Sequence, residues 1–374
     1  MATPETPNTV KAKYTAAVIG RSGHGDYGHG LDTVWKAFDS IHVAGIADPD
    51  DPGRAEAQER SGAKRAYRDY REMLANEKPD LVSIGPRHLD GKAEIVAAVA
   101  DSGAHIYLEK PFAKNLAEAD KMIEAIERNK VKVQIAHQMR MSPYALKVAE
   151  MIRAGKIGDV QEVRLRGKED QRAGGEDLMV LGSHLCDLAR MLLGDPKWVF
   201  SHVTRDGEEM KASHVREATE PIGPIAGNQI AAMFAFDNGV HAYFGSRASD
   251  RSGSSRFGTT IYGSKGVINL PNSTYPKGQP QFLRAHRWMP DEKHDWQPIE
   301  ATPAVQLPAE DRQLSNALMV HDLLEAIEQD REPVSSARDG LWSTEMIVSV
   351  YESQKRGARV DLPLKDRRHP LETV

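Results

Sequence analysis

The sequence contains a single cysteine, Cys186, among its 374 residues. One cysteine excludes an internal disulfide and any site built from several thiolates, and it favours a reducing compartment, so we expect a cytoplasmic protein. The fourteen histidines include no His-Glu-x-x-His pattern, and the sequence therefore does not indicate a metal site.

Long apolar runs and an excess of basic charge are also missing. No stretch reaches the roughly 20 consecutive apolar residues that a membrane-spanning helix needs, so no membrane association is expected. The formal net charge is −5, with lysine and arginine interspersed among acids, which argues against nucleic acid as a partner. Residues 1–12 lack the apolar core of a secretory signal and are predicted to form a short flexible lead.

The first third of the chain alternates short apolar runs with helical patterns. Apolar runs such as Ala16 to Ile19 and Leu81 to Ile84 are typical of parallel strands that are buried on both faces. This alternation predicts an α/β fold with a doubly wound parallel sheet, a Rossmann domain over residues 13–138.

A different pattern follows over residues 139–374, where alternating strands are separated by turn signals. Asn238-Gly239 and Gly263 to Gly266 each predict a hairpin turn. We therefore predict an α+β domain with a large, mostly antiparallel open sheet. Its predicted helices include Leu181–Leu193, Asp311–Glu328 and Gly340–Lys355, the last expected to pack back on the Rossmann domain.

A glycine-rich segment follows the first predicted strand, which ends at Gly20. Two registers fit a dinucleotide fingerprint, Gly23-Gly25-Gly28 and Gly20-Ser22-Gly25. In either register, bare backbone before a helix predicted at Leu31–Phe38 would bind a pyrophosphate through peptide N–H groups and the helix dipole. The alternative is a flexible glycine-rich turn.

Asp48 ends the second predicted strand, twenty residues after Gly28. An acid at this place hydrogen-bonds the adenosine ribose in dinucleotide-binding sheets. Asp50 and Asp51 would repel a 2′-phosphate, so NAD is predicted in preference to NADP. A role of Asp48 as a turn cap is the alternative, and it does not exclude the ribose contact.

Glu109-Lys110-Pro111 closes an apolar run that is predicted to be a buried strand. Proline keeps Lys110 extended at the carboxyl end of that strand, where parallel sheets bind their ligands. The placement predicts a catalytic lysine, whereas a Lys-Pro pair by itself is often only a surface bend.

His184 and Asp187 lie three residues apart on one helical face. Imidazole moves protons at neutral pH, and a carboxylate one turn away would orient it. Oxidation of a secondary alcohol requires removal of the hydroxyl proton, which Lys110 and His184 could share. The alternative is that His184 is a core histidine.

Further polar residues are expected around the same cleft. The predicted cofactor contacts, besides the glycine segment and Asp48, are Pro86, His88, Glu109 and Gln138. The predicted substrate contacts are Arg140, Arg166, Lys168 and Asp177. The charges between positions 164 and 177 would suit a polyhydroxylated or acidic ligand, or they form a solvated loop of mixed charge.

Together these motifs resemble the Gfo/Idh/MocA family, named after glucose-fructose oxidoreductase, inositol dehydrogenase and rhizopine catabolism. Glu109-Lys110-Pro111 and Gly182-x-His184-x-x-Asp187 are the most specific matches. The resemblance implies NAD(P)-dependent chemistry on a secondary hydroxyl of a sugar or polyol, with Lys110 and His184 as the catalytic lysine and histidine. It also implies homo-oligomers formed through the C-terminal sheet.

The chain departs from the family pattern at Val180, where dehydrogenases of the family commonly have an aspartate. Its dinucleotide loop is also longer than usual. Two other functions therefore stay open, a redox-assisted glycosidase or lyase with tightly bound NAD and a dinucleotide-binding regulatory protein without turnover.

Overall fold

A computed structural model gives the structure of residues 13–248, 256–309 and 311–373. The lead predicted at residues 1–12 lies outside this part of the chain. Within the described ranges, no helix is both long enough and apolar enough to span a membrane.

The N-terminal part forms a six-stranded parallel sheet with the strand order β3-β2-β1-β4-β5-β6. Its strands are β1 (Tyr14–Ile19), β2 (Ile41–Ala47), β3 (Arg65–Tyr67), β4 (Leu81–Ile84), β5 (His105–Leu108) and β6 (Val133–Ile135). Its helices are α1 (Asp51–Ser61), α2 (Tyr70–Glu77), α3 (Lys92–Asp101) and α4 (Leu116–Asn129). Every residue of β4 is buried, as expected for a central strand covered on both faces. The predicted doubly wound parallel sheet is confirmed.

The predicted helix at Leu31–Phe38 is wrong in extent and type. Turns occupy most of residues 21–33, and only a short 3-10 helix, Val34–Ala37, follows them. Gly23, Gly25, Gly28 and Gly30 all have positive φ, a conformation that breaks an α-helix. No α-helix N-terminus therefore follows β1 to bind a phosphate.

The second sheet has ten strands, nine of them in the order β17-β16-β15-β14-β7-β13-β12-β8-β18, with β9 beside β8. The strands of this part are β7 (Val160–Arg166), β8 (Trp198–Arg205), β9 (Glu208–Glu209), β10 (Arg216–Glu217), β11 (Pro224–Ile225), β12 (Gln229–Ala235), β13 (His241–Arg247), β14 (Gly258–Gly263), β15 (Gly266–Pro271), β16 (Gln281–Leu283), β17 (Gln297–Pro298) and β18 (Val360–Asp361). Strands β10 and β11 form a separate small hairpin. Among the described strands of the large sheet only β7 and β13 pair in parallel, so the predicted mostly antiparallel sheet is confirmed. Both predicted hairpins are present, β12 with β13 and β14 with β15.

Helices cover one face of this sheet. The helices of this part are α5 (Pro143–Arg153), α6 (Gly175–Val180), α7 (Gly182–Leu193), α8 (Asp311–Glu328) and α9 (Ala337–Arg356). The apolar side of α7 shares a core with strands β7 and β13, for example Leu185 with Val163 and Phe244. This packing fixes the polar residues at the start of α7 relative to the sheet.

The two C-terminal helices also pack on the Rossmann sheet. Met319, Val320 and Leu323 of α8 lie in one apolar cluster with Ala16 and Val18 of β1. Ala337 of α9 belongs to the cluster on the other face of that sheet. Residues of α8 and α9 therefore belong to the apolar clusters on the two faces of the Rossmann sheet. This packing brings the strand ends of that sheet against the second part of the chain.

Candidate functional site

A cavity of about 350 Å³, called the lysine cavity below, opens where the two parts of the chain meet. It is lined by His29, Lys110, Gln138, Met139, Ser142, Lys168, Leu181, His184, Phe257, Asn272, Ser273, Thr274, Ser315 and Asn316. The lining thus combines residues from the carboxyl ends of β1, β5 and β6 with residues of the second part. Its volume is within the range of small-molecule sites.

Lys110 lies directly after β5, and its peptide bond to Pro111 is cis. The residue is 1% exposed, and its Nζ donates a hydrogen bond of 3.0 Å to the carbonyl oxygen of Val180. Burial lowers the pKa of Lys110, and the nearby Glu109 carboxylate partly opposes that shift. The result is a buried amine whose proton is easier to remove than that of a surface lysine.

His184 lies in the first turn of α7 and lines the same cavity. Burial lowers its pKa well below the ordinary value, and the charges of Lys110 and His137 act in the same direction. The imidazole is therefore neutral at pH 7 and able to accept a proton. The structure brings the predicted ammonium and imidazole together in one cavity.

Asp187 does not orient His184 as predicted. Its carboxylate accepts two hydrogen bonds of 2.8 Å from Arg140, and it lies 3.3 Å from Nδ1 of His137. Burial opposes ionisation of Asp187, but His137 and Arg140 outweigh it and hold its pKa well below the usual range. The three-residue spacing correctly placed both side chains near one face of α7. It did not show that the guanidinium of Arg140 binds the carboxylate of Asp187.

Three predicted substrate residues have other partners. Arg140 is occupied by Asp187 and also donates to Asp339, so it is part of a buried ion-pair network. Asp177 is fully buried and accepts from the backbone N–H groups of Lys168 and Glu169, which makes it a support of that turn. These charges are enclosed because each has a matched partner, which the sequence pattern did not show.

Arg166 is the third of these residues. It pairs with Glu169 and lines a separate hollow of about 480 Å³ on the outer face of the large sheet. Lys168, in contrast, does line the lysine cavity, and its Nζ lies 3.3 Å from Asp170. Residues two apart on a strand point to the same face, so Arg166 shares the outer face with Arg164.

A second cavity, of about 580 Å³, lies at the carboxyl ends of β1 and β2 and is called the strand-end cavity below. It is lined by Ile19, Gly20, Arg21, Ala47, Asp48, Pro49, Arg68, Asp69, Tyr70, Arg71, Glu72, Asp90, Gly91, Glu94 and Ile95. In doubly wound sheets this edge holds the adenosine half of a dinucleotide. The volume of the cavity fits that group, and at the end of β1 the ring of Tyr27 packs directly on Gly20, where a side chain would clash with it.

Asp48 borders the strand-end cavity, but its carboxylate already accepts hydrogen bonds from within the chain. The donors are the backbone N–H and hydroxyl of Ser22 at 2.9 and 2.8 Å and the hydroxyl of Tyr27 at 2.6 Å. Asp50 donates its backbone N–H to the other oxygen at 2.9 Å. Asp48 thus holds the glycine-rich segment in place and also borders the strand-end cavity. The two roles considered for it, a cap of the turn and a contact with the ribose, do not exclude each other.

The glycine-rich segment lies across the ends of β4 and β5. A side chain at Gly25 would come within 2.8 Å of the backbone nitrogen of His88, so glycine is required for this approach. His88 is half-buried, its buried Nδ1 has no partner among the described residues, and burial lowers its pKa. Pro86 is buried beside it, and Gly23 donates its N–H to Asp26 at 2.8 Å.

Glu109 directly follows β5, beside the glycine-rich segment, and is fully buried. His29 donates its backbone N–H to Oε2 at 3.0 Å, and its ring Nδ1 lies 3.1 Å from the same oxygen. Burial would raise the pKa of Glu109, but His29 and Lys110 outweigh it and lower the pKa to about 2. Oε1 of Glu109 is buried without a partner, which suits a ligand hydroxyl at this edge.

The structure adds residues that the sequence interpretation missed. Lys92 is buried at the start of α3, and its Nζ donates to the carbonyl oxygens of Glu109 and Pro111 at 2.9 and 2.8 Å. Burial lowers the pKa of Lys92 to about 7. A lysine opening a mostly apolar helix was the only signal for it in the sequence. Lys92 fixes the turn that presents Lys110.

Asn316 of α8 connects the other groups. It accepts from the hydroxyl of Tyr107 at 2.7 Å and from Gln138 at 2.9 Å, and it donates to the carbonyl oxygen of His29. These partners are 178 to 287 residues away in sequence, so no local pattern could reveal them. Gln138, predicted as a cofactor contact, thus lies in the lysine cavity beside Asn316.

The Rossmann sheet has a strand-end cavity, and the lysine cavity next to the second part holds a buried amine and an imidazole. Together these features define a dinucleotide-binding oxidoreductase of two parts. The chain belongs to the Gfo/Idh/MocA oxidoreductase family, as its motifs predicted. The model of the family's NAD-binding Rossmann fold matches residues 15–137, and the model of its C-terminal alpha/beta domain matches residues 149–362.

Characterised relatives act on several sugars and polyols. The D-apiose dehydrogenase of Paraburkholderia graminis is 26% identical, over 98% of this chain and 94% of that protein. The myo-inositol 2-dehydrogenase of Thermotoga maritima is 26% identical, over 63% of this chain and 70% of that protein. A levoglucosan dehydrogenase in complex with NADH and levoglucosan has a TM-score of 0.76 at 21% identity, covering 94% of this chain and 99% of that one, a likeness of fold.

Proposed function

We propose that the protein is an NAD-dependent dehydrogenase that oxidises a secondary hydroxyl of a sugar, polyol or sugar derivative. The observation that carries this proposal is the lysine cavity, in which Lys110 and His184 share one lining beside the Rossmann strand ends. The names of the relatives, which include apiose, levoglucosan and inositol dehydrogenases, support the same class of substrate.

The reaction requires a hydride acceptor and a proton acceptor. NAD, held by the strand-end cavity and Glu109, supplies the hydride acceptor when it is bound. His184 receives the hydroxyl proton, because its imidazole is neutral at pH 7 and lines the same cavity as Lys110. Lys110 binds the same substrate oxygen and stabilises the negative charge that develops as the proton leaves. The product is the corresponding carbonyl compound.

The preference for NAD over NADP rests on the charges of the strand-end cavity. Five carboxylates line it, while of its three arginines Arg21 is already paired with Asp90 at 2.7 Å. A 2′-phosphate would therefore meet a net negative environment. We expect a dissociation constant for NADP at least tenfold above that for NAD, measured by quenching of tryptophan fluorescence.

The function is tested with purified protein and a panel of D-apiose, levoglucosan, myo-inositol, D-xylose and D-glucose. Formation of NADH from added NAD with at least one of them is expected, and failure to bind NAD or NADH would overturn the proposal. Release of a sugar from a glycoside without added cofactor and without net NADH would instead indicate transient oxidation by tightly bound NAD.

Association through the large sheet remains part of this proposal. Its outer face exposes 45% of Phe200 beside Met233 and Tyr243, in the hollow that Arg166 lines. An apolar side chain exposed at the centre of a sheet face supports a homo-oligomer. Light scattering of the wild type and of Phe200→Glu tests this, and an unchanged mass for the variant would count against that interface.

A further inference from the structure

Ser142 contributes to the lysine cavity a buried hydroxyl that has no hydrogen-bond partner within the described ranges. The residue is 3% exposed and directly precedes α5. A serine at this position usually accepts a hydrogen bond from the first turn of the helix. Here its side chain makes no such bond, so both the donor and the acceptor capacity of Oγ remain available.

Asn272 contributes a second unpaired group to the same cavity. It follows β15, and its backbone N–H donates to the carbonyl oxygen of Phe257 at 3.0 Å, which fixes the chain at this point. Its Oδ1 is buried and has no hydrogen-bond partner among the residues that the structure describes. Leaving such an atom unpaired costs free energy, so a native site that keeps two of them unpaired calls for a ligand that completes their hydrogen bonds.

The two atoms require complementary partners. Oδ1 of an asparagine only accepts, whereas a serine hydroxyl both donates and accepts. An alcohol group does both as well, so hydroxyls of a polyol match both atoms. Ser142 and Asn272 come from segments 130 residues apart, one before α5 and the other after β15, and both line this cavity.

The charges of the lining narrow the ligand further. Its cationic side chains are Lys110 and Lys168, and Lys168 lies 3.3 Å from Asp170. His29 is paired with Glu109. Among the described lining residues, Lys110 is then the one cation without a carboxylate partner at ion-pair distance, and the reacting oxygen needs it. A phosphate or carboxylate on the substrate would find no second unpaired cation among these described lining residues.

We propose that Ser142 and Asn272 form a hydroxyl-recognition subsite and that the substrate is an uncharged polyol or sugar with a single ring. The inference rests on the proposed function and extends it, because it assigns the residues that select the substrate. The volume of about 350 Å³ is near the lower end of ligand sites, which suits one ring rather than a nucleotide sugar.

The test measures the sugar and the dinucleotide separately. Binding of myo-inositol, levoglucosan, D-xylose and D-glucose to the protein saturated with NADH is followed by calorimetry, beside D-glucuronate and D-glucose 6-phosphate. Ser142→Ala and Asn272→Ala are each expected to weaken binding of the best neutral ligand about 5- to 30-fold, the loss of one hydrogen bond. The dissociation constant for NADH is expected to stay within about twofold in both variants.

Matched controls separate recognition from folding. Ser264→Ala removes a hydroxyl that accepts from the N–H of Asp159 in a distant turn, and it is expected to keep wild-type sugar binding. Asn272→Asp retains an acceptor of the same shape and is expected to bind the neutral ligand more tightly than Asn272→Ala. With a monodeoxy analogue that lacks the recognised hydroxyl, the wild type and the alanine variant are expected to bind equally.

The inference is overturned if both alanine variants bind every neutral ligand as the wild type does. It is also overturned if D-glucuronate or D-glucose 6-phosphate binds more tightly than all neutral ligands, or if NADH binds and no sugar does. Those results leave dinucleotide binding intact, so they are distinguishable from failure of the proposed function, in which NADH itself does not bind.

Discussion

Lys110 shows how one residue acquires reactivity from its place in the fold. Its carbon chain and ammonium are enclosed, and Nζ donates a hydrogen bond to a neutral group, the carbonyl oxygen of Val180. A lysine on the surface would keep its proton to high pH, whereas burial makes deprotonation easier. The residue type was evident from the sequence, but its burial was not.

Replacing Lys110 tests this directly. Lys110→Ala is expected to lower kcat by about 10²- to 10⁴-fold, because the charge that stabilises the developing alkoxide is lost. The dissociation constant for NAD should change little, as measured by fluorescence titration. Lys147→Ala is the matched control, since Lys147 pairs with Glu150 on the exposed side of α5. Wild-type kcat in Lys110→Ala would remove Lys110 from the reaction.

His369 gives a prediction for the acid side of the stability profile. It is 1% exposed, and burial lowers its pKa to about 4. An unfolded histidine titrates near 6.5, so the unfolded chain binds the proton first as the pH falls, and stability drops between about pH 6.5 and pH 4. Between pH 7 and pH 5 this group removes about 2 kcal/mol from the free energy of unfolding.

Urea unfolding at the two pH values measures that loss. His369→Asn keeps an acceptor for the N–H of Leu371 and is expected to lose about 2 kcal/mol less than the wild type between pH 7 and pH 5. His286→Asn, at an exposed histidine, is expected to keep the wild-type pH dependence. An equal pH dependence in all three proteins would contradict this assignment.

At the scale of the element, the sequence-based prediction was wrong for the helix between β1 and β2 and correct for α7. The glycine pattern located the dinucleotide segment, but four positive φ angles replace the predicted helix with turns and a 3-10 helix. The apolar pattern of α7 was predicted within one residue at its start, because one face of this helix packs on the large sheet. Periodicity is informative where one face is buried and uninformative where glycines set the path.

The start of α7 also carries the buried ion pair of Asp187 with Arg140. Asp187→Ala is expected to lower the free energy of unfolding by about 3–5 kcal/mol, because the guanidinium of Arg140 stays enclosed without its main partner. Asp195 pairs with Arg190 at 2.6 Å but is 44% exposed, so Asp195→Ala is expected to cost less than about 1 kcal/mol. Chemical denaturation compares the two, and equal losses would show that the buried pair has no special weight.

At the scale of the whole molecule, α8 joins the last part of the chain to the first. Leu323 is fully buried in the cluster that includes β1, so the Rossmann sheet is not complete until the C-terminal region has folded. This arrangement predicts that the two parts unfold together. It also explains how Asn316, in α8, reaches Tyr107 and Gln138.

Leu323→Ala tests this coupling. The variant is expected to lose about 2–5 kcal/mol, and hydrogen exchange of β1 and of β12 should accelerate by the same factor. Leu146→Ala, at a side chain that is 37% exposed, serves as the control and is expected to change exchange in neither strand by more than about fivefold. Faster exchange confined to β1 would show that the two parts unfold separately.

The sequence by itself determined the strand-and-helix order, the family, and the two residues Lys110 and His184, because hydrophobic periodicity and short motifs depend on neighbours along the chain. The tertiary structure decided which side chains pair with each other and which of them line the lysine cavity. Asp187 pairs with Arg140 instead of His184, and neither Arg166 nor Asp177 lines the lysine cavity. Ser142, Asn272 and Asn316 line that cavity, and Lys92 supports it. Burial, unpaired atoms and ion pairs arise from contacts between residues far apart in sequence, and only the folded chain brings those residues within a few ångströms.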